Sequence, residues 1–135
     1  MGSRSKARKA AFDLLYEAEQ RNRGARDALA SFDTREATRR QGLSEADYVR
    51  SILEGIATEG KAIDTAIGGA LRGWTLERLY PVDRAILRIA VWELLYSETP
   101  TDVVRSEALG LASEYGSDDA TSFIGGVLGT LAASR

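Results

Sequence analysis

Asp118 and Asp119 are the first residues to weigh for chemistry, because adjacent carboxylates can divide proton-transfer work between them. They follow a glycine and precede an apolar helical run, however, and there acidic side chains more naturally cap backbone N–H groups and answer the helix dipole. The chain has no histidine and no cysteine, which removes imidazole bases, thiol nucleophiles, disulfides and the usual zinc ligands together. Gly125-Gly126 does not follow a strand and so does not read as a phosphate cradle, and no Ser or Lys has an identifiable base nearby in sequence. The residues point away from an enzyme, and no cofactor or metal is expected.

Binding is better supplied. Arg4, Lys6, Arg8 and Lys9 form a basic arm that runs into a helical segment, with Phe12 and Tyr16 one turn apart behind it. Cations for phosphates beside a ring that can stack an unpaired base are what single-stranded nucleic acid requires. On a helical wheel Tyr16 falls beside Lys9 at the border of the polar face, where a ring can stack while its hydroxyl stays wet. Phe12, taken alone, reads as core. Tyr115, Asp119 and Phe123 follow one another at spacings of four, although each by itself reads as cap or core.

Charge supports the same direction weakly. Net charge is −2, yet up to Arg26 there are seven basic residues against Asp13, Glu17 and Glu19, whereas from Ser97 onward six acidic residues face Arg105 and Arg135. No apolar run approaches the roughly 18 residues that span a bilayer. The first residues lack the apolar core of a signal peptide, and Lys6 stands where a myristoylation pattern needs Ser or Thr. A soluble cytoplasmic protein with no membrane association is expected.

The elements that must position these residues are helices. At 135 residues and 44% hydrophobic, one substantial core can form, and Ala, Leu, Arg and Glu dominate without sustained alternation. The first helix should start near Ser3 or Ser5 and run to about Arg23, before Gly24. A weaker helix follows over Ala25 to Ala37, then a mobile connection from Thr38 to Gly42. Ser44 is expected to cap a third helix that bends at Gly60 and ends by Leu71 or Arg72. One helical turn at Thr75 to Leu79 leads into Pro81 to Tyr96, whose apolar residues leave no continuous polar face and demand that the helix be surrounded. Arg88 in that helix should be partly buried against an acid that the sequence does not identify. Thr101 should cap a fifth helix ending at Gly116, and Ser117 or Asp118 a sixth carrying Ile124, Val127, Leu128 and Leu131 inward.

Three segments, RKAAFDLLYEAEQ, RGWTLERLYPVDRAILRIAVWELL and EALGLASEYGSDDATSFIGGVLGTL, resemble in order the best-marked stretches of the NusB transcription antitermination family. The resemblance covers nearly the whole chain and implies an all-α single domain of two three-helix subdomains, about 3–72 and about 74–135, sharing the long helix from Pro81. It further implies binding of single-stranded boxA-type RNA together with NusE, a small-subunit ribosomal protein, within the transcription elongation complex to promote processive ribosomal RNA transcription. Carried onto this sequence, the RNA positions are the arm at 1–9 with Arg4, Lys6, Arg8 and the additional Lys9, then Tyr16, Tyr115, Asp119 and Phe123. The NusE positions are Leu79, Asp83 and Arg84. Ser106, Ser113 and Gly125 depart from the family's Asn or Asp, Lys and Asn, which removes polar contacts from the C-terminal side. Four phosphate contacts would give a log-log salt slope of about −3, at about −0.7 per contact. An alternative reading of the same surfaces is a self-associating helical module whose homodimer masks the RNA face.

Overall fold

The computed structural model describes residues 2–39 and 45–135, which form six α-helices and a 3-10 turn at Leu76–Arg78, with no strand among the described residues. The helices are α1 (Ser3–Gln20), α2 (Ala25–Ala37), α3 (Ala46–Ala70), α4 (Pro81–Tyr96), α5 (Thr101–Tyr115) and α6 (Ala120–Ala132). The expected cap at Ser44 and most of the connection ending at Gly42 lie outside the described residues.

The chain divides into two compact units, Met1–Thr58 and Glu59–Arg135, with the division inside α3. α3 itself kinks at Glu59, whose φ of −104° and ψ of 15° leave the helical region. The bend was expected one residue later at Gly60, but a Cβ there would meet nothing, so the glycine is not sterically required.

In the first unit α1 packs on α2. α1 buries Ala7, Ala11, Phe12, Leu14, Leu15 and Ala18, the stripe its spacing indicates, and α2 adds Ala28 and Phe32. α1 ends before Gly24, at a left-handed Asn22 with φ 57°. The N–H of Arg23 reaches Ala18 O at 2.8 Å and that of Asn22 reaches Glu19 O at 2.9 Å, which is a Schellman closure. Asparagine tolerates this conformation, so the stop needs no glycine.

In the second unit α4, α5 and α6 pack against one another. α4 buries ten of its residues, from Asp83 to Leu94, but Leu95 and Tyr96 are exposed, so its apolar circumference is covered for all but the last turn. Arg88 finds its acid on α3: Nε and Nη2 donate to the two Asp64 oxygens at 2.9 and 3.1 Å. Buried Glu93 accepts from the Thr99 hydroxyl at 3.2 Å. The like charges of Arg84 and Arg88 are thereby handled separately, since Arg84 turns to backbone carbonyls.

Candidate nucleic-acid interface

The arm is helical from Ser3, so its cations are fixed on successive turns of α1 and are not strung along a loose tail. They differ in availability. Arg8 is 3% exposed, Lys9 donates to both Asp13 oxygens at 2.7 and 2.5 Å, and Arg4 and Lys6 are exposed. The guanidinium carbons of Arg4 and Arg8 lie 4.2 and 5.7 Å from the centroid of the Tyr48 ring on α3. The four arm cations are therefore not equivalent: Arg8 is in the folded interior and Lys9 in an exposed ion pair. Tyr16 is half-buried and stacks on the buried Phe12, with ring centroids 6.3 Å apart and planes at 24°.

The second patch is built by the turn between α5 and α6. Tyr115 is exposed at the end of α5, its hydroxyl donating to Glu114 at 3.1 Å. Gly116 follows, where a Cβ would stand 2.6 Å from the Ala120 Cβ and 2.7 Å from Ala112 O, so nothing larger fits the turn. Asp119 occupies the N-cap position of α6 without a side-chain cap hydrogen bond and is exposed, so its carboxylate is not spent on the cap expected of it. Phe123 lies one turn on, half-buried, its N–H reaching Asp119 O at 3.0 Å. A Cβ added at Gly125 would stand 3.6 Å from a Leu109 methyl carbon on α5, an ordinary contact, so the fold itself does not demand glycine there.

The head of α4 is more closed than the sequence implied. Leu79 is buried and Asp83 is 5% exposed, with its Oδ1 lacking any hydrogen-bond partner. Burial pushes the Asp83 carboxyl above its ordinary range. Arg84 Nη1 donates to Leu76, Glu77 and Leu79 carbonyls at 3.1, 3.2 and 2.7 Å, capping the 3-10 turn with a cation. Leu79 and Asp83 offer no open side chain and Arg84 is half-buried; the exposed aromatic rings near them in sequence are Trp74 and the 68%-exposed Tyr80. Sequence reasoning passed over both because aromatics beside a turn look like core. It missed Tyr48 because the ring's meeting with Arg4 is made by tertiary packing.

A cleft of about 370 Å³ between α1 and α2 holds the remaining notable carboxylate, Glu17. Arg35 donates to both its oxygens at 2.8 and 3.1 Å, and this hydrogen bonding, with the charges of Arg35 and Arg21, holds Glu17 below its ordinary range. An acid so paired is a poor proton acceptor. Among the described residues no group of His, Cys, Asp or Glu is arranged to hold a metal, and no helix is long and apolar enough to cross a membrane.

These features define an all-helical binding protein with two surface patches of aromatic and charged residues. Comparison with known proteins gives the family. The NusB family profile matches residues 5–133. The transcription antitermination protein NusB of Beutenbergia cavernae is 44% identical, over 97% of this chain and 90% of that protein. The T. maritima NusB structure superposes with a TM-score of 0.84 at 31% identity, covering 98% of this chain and 92% of that one. A structure of antitermination factors NusB and NusE with double-stranded RNA has the same fold, at a TM-score of 0.81 and 24% identity over 98% of each chain. The chain belongs to the NusB family, and is thus a transcription antitermination factor and not an enzyme.

Proposed function

We propose that this protein binds single-stranded boxA-type RNA together with NusE, as part of the cytoplasmic elongation complex, to keep ribosomal RNA transcription processive. The observation that carries the reading is that Tyr16, Tyr115, Asp119 and Phe123, the positions the family resemblance marks for RNA, all reach the surface in a chain of that family. Stacking on rings and neutralisation of phosphates by Arg4 and Lys6 are the physical terms. With two exposed arm cations in place of four, the expected salt slope falls from about −3 to about −1.4. Arg8 acts from the interior by packing, and Lys9 is engaged at the surface by its pairing with Asp13.

For NusE, the supporting feature is Asp83: a buried carboxylate oxygen without a partner is costly to the isolated fold and would gain from a donor brought by another protein. Leu79 and Arg84 shape the ground under it. Approach would be past Tyr80 and Trp74, whose rings lie open to solvent.

Labelled boxA RNA titrated with this protein, with and without NusE, tests the reading against a scrambled strand and a duplex of the same sequence. The expected result is preference for the single boxA strand, tightened by NusE. Equal binding of the scrambled strand removes boxA recognition. Preference for the duplex moves the RNA contact from stacked bases to backbone shape, and indifference to NusE removes the coupling.

A further inference from the structure

The Tyr48 ring stands at the meeting point of the arm's two arginines, and neither the family resemblance nor the patch of exposed rings assigns it a role. Arg8, 3% exposed, is held in the fold 5.7 Å from the ring centroid. Arg4, one turn earlier on α1 and exposed, lies closer, at 4.2 Å. At that distance a guanidinium is attracted by the negative face of the ring, and Arg is suited to it because its flat, weakly hydrated head can lie against an aromatic plane. A long side chain at the first turn of a helix otherwise samples many rotamers, each lost on binding. Tyr48 is itself fixed, being half-buried on α3 beside the wholly buried Val49.

We infer that Tyr48 is a positioning residue for RNA binding: it holds the Arg4 guanidinium in one place on the α1 surface, so that RNA meets a preset cation and not a mobile one. The inference rests on the reading of the arm as an RNA contact. Pre-organisation of this kind raises affinity by reducing the ordering that binding must do, without adding a contact to the ligand. It also explains how an arm with two exposed cations can serve: one of them arrives already oriented.

Five variants, titrated with a boxA-type single strand across a salt series, test it. Arg4→Ala should weaken binding and make the salt slope shallower by about 0.7. Tyr48→Leu should weaken binding roughly two- to fivefold, the range of an exposed cation–ring contact, and Tyr48→Phe should restore it to within about twofold because the ring face is kept. The double variant Arg4→Ala/Tyr48→Leu should bind no more weakly than Arg4→Ala alone, since Tyr48 acts through Arg4. Arg4→Lys, which leaves the core untouched, should lose affinity while keeping its charge. If Tyr48→Leu weakens binding additively with Arg4→Ala, or if Arg4→Lys and Tyr48→Leu both match the parent, Tyr48 does not position the arm. If Arg4→Ala itself changes neither affinity nor slope, the arm is not an RNA contact and the underlying reading fails first.

Discussion

At the N-terminal patch, cations surround the rings: Arg4 and Arg8 lie against Tyr48, Lys9 pairs with Asp13, and Tyr16 stands on Phe12 beyond them. At the C-terminal patch the stretch from Tyr115 to Phe123 contains no Lys or Arg, and its rings and carboxylates are held by backbone, through a turn that a single added carbon would obstruct at Gly116. The first patch is thus adjustable by salt and side-chain exchange; the second is set by sterics. Ser106 and Ser113, both exposed on α5, add no charge to the second patch.

Gly116→Ala is the change expected to do most to one patch while sparing the other. A Cβ at 2.6 Å from Ala120 must displace the α5–α6 turn, and overpacking of this kind costs about 3 kcal/mol, read as a lowered denaturation midpoint. RNA affinity should fall while the salt slope stays unchanged; a normal midpoint would show the turn to be slacker than its geometry. Tyr16→Ala should cost about 2 kcal/mol in RNA binding if a base stacks there, with little change in melting because the ring is half exposed. A large loss of stability instead would make Tyr16 a core residue.

Asp83→Asn should act on stability in the opposite direction. The buried carboxyl binds its proton more tightly folded than unfolded, so stability falls as pH rises from the ordinary carboxylate range through the raised value. The amide removes that slope and should stabilise the chain by about 1 kcal/mol at neutral pH, while weakening NusE binding. Unfolding curves at several pH values, alongside a NusE titration, separate the two effects; an unchanged pH profile would show that Asp83 stays charged at no cost. Lys9→Ala is the mildest, about 0.3 kcal/mol of stability from an exposed pair one turn apart, with RNA affinity and salt slope little altered. A slope reduced as much as by loss of Arg4 would return Lys9 to the RNA surface.

What the sequence disclosed follows from which forces act locally. α4 begins at Pro81 and stops at Tyr96 as its pattern indicates, because proline and apolar periodicity are written into neighbouring residues. The end of α1 was misplaced because Gly24 is a commoner stop signal than Asn22, although the asparagine is the residue that takes the left-handed turn. Asp64 could not be named as the partner of Arg88, nor Tyr48 as that of Arg4, since both pairings depend on how α3 lies against another helix of its own unit. Burial had the same effect on the site: Arg8 and Asp83 look like surface residues by type and become interior ones by position.

The kink at Glu59 bears on how the molecule opens. There the hydrogen-bond ladder of α3 leaves regular helix, and Glu59 also accepts from the Tyr96 hydroxyl, whose own proton is held more tightly by burial and by that carboxylate. A helix interrupted in this way need not melt as one cooperative segment. Amide protons on the two sides of Glu59 should therefore exchange with solvent deuterium at separate rates, each following the unit to which that half of α3 belongs, and the single longest helix would report two local stabilities.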